Sequence, residues 1–400
     1  MTGADERDAF YQAIMDKWDD DTPRLVYADW LDERGDEPSC IRAEFIRLDC
    51  ELARHTDPRR IPKKLQQRHD RARTGLYRDL SNRDIPTGNM HFARGFPRYL
   101  IAPLECYVES ASACWDELGP IEDPELYGCI ETSPVFGEVA QLPALRHWRG
   151  LSFSSETRGD IGGANFAALI ASPHLTNLRS VTITEQTRMR DGGPGTPLGA
   201  NALSATSHNP ALTRLSSIRI WWSGITDSAL LRFGKGRFLP NLRKLSLADE
   251  FTDAGIAALA KSPVLETVEH LHLNGRLSGE SLKHIMTSPR LKSLHTLDLS
   301  VWTSGTHEHD SLTRLDGNQV YDKMGVEAFA SSPLLPQLKV VKLSGGEITA
   351  RNAAKLAEAA QRLTSLERLS IIGNLGRLDE ACQAQRGNAL KIEEVYFDPE

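Results

Sequence analysis

Residues 239–300 read LPNLRKLSLADEFTDAGIAALAKSPVLETVEHLHLNGRLSGESLKHIMTSPRLKSLHTLDLS. One phrase, L-x-x-L-x-x-L-x-L, occurs three times in that stretch. It runs through Leu239/Leu242/Leu245/Leu247, then Leu265/Val268/Leu271/Leu273, then Leu291/Leu294/Leu297/Leu299. The closing L-x-L alternates with period two, which predicts a short strand with its leucines turned inward. The segments between phrases carry helical spacing instead. In FTDAGIAALAKSP at 251–263, Ile256, Leu259 and Ala260 fall on one helix face. Thr252 or Asp253 is placed to cap that helix, and Pro263 to stop it, because the residue before a proline avoids the α region.

Working outward, the phrase recurs at Leu145/Trp148/Leu151/Phe153, Leu175/Leu178/Val181/Ile183, Leu212/Leu215/Ile218/Ile220, Leu335/Leu338/Val341/Leu343 and Leu363/Leu366/Leu369/Ile371. A Ser-Pro stop precedes several copies, at Ser172-Pro173, Ser262-Pro263, Ser288-Pro289 and Ser332-Pro333. One repeat is thus strand, loop, helix and stop. It cannot bury its own apolar face, so neighbours must stack.

These repeats resemble leucine-rich repeats, and the helix in each resembles the ribonuclease-inhibitor-like subclass. The resemblance spans about residues 140–375. It implies an α/β solenoid shaped as a horseshoe, with a parallel sheet on the concave side and helices on the convex side. One departure stands out. The family carries Asn or Cys three residues after the last strand leucine, where this chain has Glu156, Gln186, Ser223, Glu250, Arg276, Trp302, Gly346 and Asn374. An irregular loop ladder is therefore expected. Two insertions, 187–200 (TRMRDGGPGTPLGA) and 303–319 (TSGTHEHDSLTRLDGNQ), fall between strand and helix and read as loops on one edge.

The first eighty residues follow another pattern. Helical spacing at 5–18 puts Phe10, Ile14 and Trp18 on one face. A second helix is expected after Asp21 or Thr22, with Pro23 in its first turn, Leu25, Val26, Trp30 and Leu31 as apolar face and Gly35 at its end. A third is expected from Ser39 to Arg54 around Phe45, and a fourth over 62–80. The string Asp21-Thr22-Pro23-Arg24-Leu25-Val26-Tyr27-Ala28-Asp29-Trp30-Leu31, with Glu33, Arg34, Gly35 and Arg42-Ala43-Glu44-Phe45-Ile46-Arg47-Leu48, resembles a short bacterial repeat-companion domain of the planctomycete and myxobacterial type. That resemblance implies a bacterial lineage and no activity. The expected organisation is a small all-α domain at 1–83, a linker with degenerate capping repeats at 84–144, and a repeat domain at 145–400. The last comprises about eight repeats and a C-terminal cap, with 392–397 as a closing strand.

Composition bounds the function. The 400 residues are 40% hydrophobic and 25% charged, with a formal net charge of -7. No apolar run is long enough to span a bilayer. The start MTGADERDAF is acidic and has no apolar core of a secretory signal. Six scattered cysteines without a C-x-x-C pair argue against a zinc site and a disulfide framework, and for the cytoplasm. Charge is uneven. Residues 1–38 hold twelve acidic and four basic side chains, and 39–100 hold seven acidic and fourteen basic. Mutual neutralisation is the expectation, Arg24 with Asp29 and Asp32 included. A basic helix at 59–78 that touches nucleic acid is the weaker alternative.

No phosphate-binding loop, dinucleotide fingerprint, nucleophile elbow or H-E-x-x-H occurs. The run His307-Glu308-His309-Asp310 offers ligand-type residues but specifies no complete metal set. The residues between the strand leucines face the expected concave surface: Ser152, Thr182, Arg219, Ser246, His272, Asp298, Lys342 and Ser370. Flanking columns add Lys244, His270 and Thr296 on one side, Trp221, Asn274 and Ser300 on the other. Arg219, Trp221, Lys244, His270, His272, Asp298 and Trp302 therefore form the candidate partner-binding set. The expected function is non-enzymatic: a scaffold or recognition module that binds another protein in its concave groove. No cofactor, metal, membrane or small-molecule substrate is called for. The alternative is a regulatory subunit that inhibits or activates a nuclease, protease or GTPase through the same surface.

Overall fold

The computed structural model describes residues 3–83, 85, 90–103, 118–127, 135–154, 163–184, 198–236, 239–301, 322–347, 350–360, 362, 365 and 367–374. The run at 303–319 and the closing strand at 392–397 lie outside the described residues. Two compact units are present: residues 1–159 with 172–180, and residues 160–171 with 181–400.

The first unit opens with four helices, α1 (Gly3–Asp16), α2 (Thr22–Arg34), α3 (Glu37–Ala53) and α4 (Lys63–Ser81). Its centre is built from Tyr11, Ile14, Tyr27, Ala28, Leu31, Ala43, Ile46, Cys50 and Phe96, with Phe10, Trp18, Leu25 and Trp30 packed half-buried around it. The innermost side chains thus include Tyr11 and Tyr27 rather than Phe10 and Leu25. Their hydroxyls meet at 3.1 Å, so two phenols satisfy each other where a lone one would be orphaned. Phe45 is fully buried, stacked on His69.

Caps and ion pairs depart from the sequence expectation in instructive ways. Asp20, not Asp21 or Thr22, supplies the carboxylate at the start of α2, accepting from the Thr22 N–H at 2.9 Å. Gly35 ends that helix at φ 71°, the left-handed turn a glycine makes without strain. Arg24 does not pair with Asp29 and Asp32. It is buried, donates to the Asp20 carbonyl and lies 4.7 Å from the Trp18 ring centroid. Arg47 takes both carboxylates instead, at 2.6 Å each. Arg54 and Arg94 reach Asp21. The acidic and basic segments do neutralise each other, through different partners.

A hairpin follows: β1 (Met90–Ala93) pairs antiparallel with β2 (Phe96–Pro103). Arg94 at φ 55° and Gly95 at φ 83° make the turn. A Cβ on Gly95 would stand 2.6 Å from Ile46, so the hairpin sits down on α3 only with glycine there. Asp49 fixes it, accepting from Gly95 N–H at 2.6 Å and from the His69 ring at 3.0 Å. β2 then pairs parallel with β3 (Asp123–Tyr127), and β3 with β4 (Gly150–Ser154). Helix α5 (Val135–Ala140) lies between the last two strands in sequence.

The second unit alternates helix and strand. Its elements are α6 (Gly163–Ile170), β5 (Ser180–Thr184), α7 (Leu198–His208), β6 (Ser217–Trp221), α8 (Asp227–Gly234), β7 (Lys244–Thr252), α9 (Asp253–Leu259), β8 (His270–Arg276), α10 (Gly279–Met286), β9 (Thr296–Val301), α11 (Lys323–Ser331), β10 (Val340–Glu347), α12 (Ala350–Ala360) and β11 (Arg368–Asn374). The seven strands lie side by side in sequence order. From β6 onward each neighbouring pair is parallel. Leu247 registers with Leu273 and Leu273 with Leu299, and all three are fully buried. All four apolar positions of the first seven phrases are buried. The 187–200 insertion is shorter than its composition reads: Leu198, Gly199 and Ala200 already belong to α7 and are buried.

Two polar ladders run beside the leucines. Asp227, at the start of α8, accepts from the Thr252 N–H and hydroxyl at 2.7 Å each and from Gly255 N–H at 3.0 Å. Asp253, at the start of α9, does the same for the Ser278 N–H and hydroxyl and also takes the Ser281 hydroxyl. Gly255 is required here, since a Cβ would fall 2.5 Å from the Asp227 carboxylate. The second ladder uses the Ser-Pro serines. Ser172, Ser288 and Ser332 donate to the Ala140, Ala260 and Met286 carbonyls of the preceding helix end, and Asn209 reaches Ile170 in the same way.

Two predictions follow from this packing. Leu273→Ala is expected to cost about 2–5 kcal/mol of stability by urea unfolding, because the cavity lies between two repeats that cannot close over it. His147 gives a pH signature. It is 2% exposed, and burial first, then Arg146, pushes its pKa down to about 4, against an opposing pull from Asp8. The unfolded chain therefore binds one more proton than the folded one from about pH 4 to 6.5, so stability rises with pH across that window and is lost as pH falls through it. The full contribution is roughly 3 kcal/mol. Urea midpoints measured from pH 4 to 7 should show that slope, and His147→Gln should flatten it.

Candidate functional site

The strand leucines leave every second side chain on the opposite sheet face, and the parallel register lines those side chains into columns. Arg219 of β6 registers with Ser246 of β7, Ser246 with His272 of β8, His272 with Asp298 of β9, and Asp298 with Lys342 of β10. One column over, Lys244 registers with His270 and His270 with Thr296. On the other side stand Trp221, Ala248, Asn274 and Ser300. The structure thus brings Arg219, Trp221, Lys244, His270, His272 and Asp298 onto one face of four adjacent strands. Trp302 lies outside the described residues.

The centre of this face is cross-linked. Trp221 donates its indole N–H to the Ser246 hydroxyl at 2.9 Å. The Arg219 guanidinium sits 5.3 Å from the Trp221 ring centroid, within cation–π range. The His272 ring lies on the other flank, 5.7 Å between centroids. His272 approaches Asp298 at 4.0 Å, and Lys342 reaches the same carboxylate at 3.9 Å. Ser300 donates to Asp298 at 3.3 Å. At the edge, His270 meets the Thr296 hydroxyl at 3.0 Å. Ser246 and Lys342 matter more than the sequence reading credited. Their column was legible, but their bonds to Trp221 and Asp298 were not.

Both imidazoles titrate below the ordinary histidine value. For His270 burial acts first, then Lys244, opposed by Glu269, with His295 adding to the lowering. For His272 burial again leads, Asp298 opposes it, and Lys342 and Arg219 add to the lowering. The face therefore presents neutral imidazoles at neutral pH. Any histidine-linked change in binding is thereby moved to lower pH than a free imidazole would give.

Trp222, which alternation turns away from Trp221, is half-buried at φ 59°, and its N–H donates to the Ala248 carbonyl at 2.7 Å. The loop position that the repeat resemblance would fill with Asn is served one residue earlier, by buried Asp249, which accepts from the Ile225 N–H at 2.8 Å. Among the described residues no group of three or more His, Cys, Asp or Glu is placed to hold a metal ion. The His307–Asp310 run lies outside the described residues. In the basic stretch at 59–78, three of the eight Lys and Arg side chains pair with carboxylates, Arg60 with Asp57, Arg68 with Glu44 and Arg73 with Asp70, and His69 meets Asp49.

No family model matches the chain. A stretch of 163 residues is 28% identical to the F-box/LRR-repeat protein 21 of Arabidopsis thaliana, covering 38% of this chain. The chain spans about half the length of that relative, 48%. The likeness supports leucine-rich repeats in general. It does not show the bacterial companion-domain resemblance. No helix among the described residues is long and apolar enough to cross a membrane.

The electrostatics can be checked directly. In NMR titrations His270 and His272 should both show midpoints below 6.5, the ordinary imidazole value. Lys244→Ala should raise the His270 midpoint and Arg219→Ala the His272 midpoint, each by removing a cation that opposes protonation.

Proposed function

We propose that the chain is a non-enzymatic protein-binding module whose ligand lies across the β6–β10 face, as the concave wall of a leucine-rich repeat horseshoe. The supporting observation is the Arg219–Trp221–Ser246–His272–Asp298–Lys342 line. These are aromatic, cationic, anionic and imidazole groups held by mutual contacts on adjacent strands. The repeat-bearing relative supports the same reading. Interface energy concentrates in a few Trp, Tyr and Arg side chains, and a face already rigid loses little entropy on binding. A bacterial cytoplasmic protein with a helical companion domain at 1–83, a capping segment at 84–144 and the repeats at 145–400 fits this reading. Regulation of a partner enzyme would use the same face. Nucleic-acid binding through 59–78 is the weaker alternative, since Arg60, Arg68 and Arg73 there already stand beside carboxylates.

Trp221→Ala or Arg219→Ala is expected to weaken binding of a partner captured from native lysate by about 2 kcal/mol or more with folding intact, whereas Ser152→Ala should do little. Calorimetric titration of that partner against the three variants decides. Silent central substitutions, together with loss of binding on charge reversal within 59–78, would move the site to α4.

A further inference from the structure

The cations on the β6–β10 face are not equivalent. Lys342 is paired with Asp298 at 3.9 Å. Arg219 and Lys244 are exposed, and neither has an acidic partner within ion-pair distance among the described residues. Resting on the binding-face reading above, we infer that Arg219 and Lys244 form a two-cation receptor for carboxylate side chains in an acidic segment of the partner protein.

Register places the two charges together. Lys244 pairs with Ser217 and Arg219 with Ser246, so the cations are diagonal neighbours on adjacent parallel strands. Diagonal positions stand roughly 7–8 Å apart, within reach of one or two carboxylates lying between long side chains. The residues directly across from each are serines, short side chains that add hydroxyl groups. The Trp221 ring beneath the Arg219 guanidinium holds the fork in place while its N–H edge remains available, the geometry that suits bidentate carboxylate contact. The surrounding field agrees: Lys244 opposes protonation of His270, and Arg219 with Lys342 opposes protonation of His272 even though Asp298 stands beside it.

Asp298 also separates the candidate occupants. It sits two strands from Lys244, in the middle of the face and half-exposed. A nucleic-acid backbone, with a phosphate at every step, would have to lay charge against it. A peptide can put its carboxylates on Arg219 and Lys244 and a hydroxyl or amide donor on Asp298. Repulsion of the uniform polyanion thus adds selectivity to attraction of the mixed one.

The test uses the full chain with a synthetic peptide that alternates glutamate and serine as probe, followed by calorimetry at low salt. The expected result is salt-sensitive binding that weakens at least tenfold in the Arg219→Gln/Lys244→Gln double variant. The Arg59→Gln/Arg71→Gln variant, which removes two exposed cations of the basic stretch, should leave it unchanged. Absence of binding, or equal binding to the first double variant, overturns the inference. So does a single-stranded oligonucleotide that binds more tightly than the glutamate–serine peptide and depends on the same two cations. Capture of the cellular partner separates the two levels. Loss with Trp221→Ala but retention with the double glutamine variant removes the acidic-segment inference and leaves the binding face standing. Retention with both removes the face itself.

Discussion

Leu273 is buried only because Leu247 and Leu299 stand beside it in register on neighbouring strands. A single repeat offers one short strand and one helix of about two turns, too little apolar surface to offset the entropy of ordering its own chain. Each repeat is therefore conditional on the next. The same dependence forces the register: a slip by one residue would put the leucines on the outer face and the Arg219–Asp298 column in the core. The arrangement of charged groups on the outer face is thus set by hydrophobic burial on the inner one.

Stacking leucines alone would leave the polar groups at each helix end without partners. The two ladders address this in complementary places. Asp227 and Asp253 satisfy the N-terminal turn of the following helix, where N–H groups have no intrahelical acceptor and a carboxylate also meets the positive end of the helix dipole. The Ser172, Ser288 and Ser332 hydroxyls satisfy carbonyls at the C-terminal end of the preceding helix. Both bonds run between repeats, so they fix neighbour spacing rather than stabilise a repeat in isolation. The short loops differ from the pattern the repeat resemblance implies because Asp249 and these aspartates take over what a loop asparagine would do.

How much of this was legible follows from range. The strand leucines announce themselves by period two, and the first seven phrases land in the core. The Ser-Pro motif reads as a stop from sequence, since proline acts on its own neighbour. That the serine also bonds a carbonyl of another repeat, as in Ser332 with Met286, depends on stacking that no local window contains. The N-terminal helices show the same limit. Their positions follow from spacing, yet Tyr11 and Tyr27 displace Phe10 and Leu25 from the centre because each tyrosine supplies the other's hydrogen-bond partner. Ion pairs are the least legible. Arg47, not Arg24, meets Asp29 and Asp32, a choice made by the angle between α2 and α3.

The candidate site inherits this division. Its columns are a local consequence of alternation and were readable position by position. Which members act together is not, because it depends on side-chain reach across strands. Trp221 is oriented by Ser246, one strand away, and in turn supports Arg219 and flanks His272. Asp298 is occupied by Lys342 and Ser300, so it is poorly placed to neutralise the two remaining cations. A central carboxylate that looks from sequence like the partner of every nearby cation is in fact committed on one side of the face. The surplus positive charge therefore collects on the other side, at Arg219 and Lys244, where a ligand would meet it.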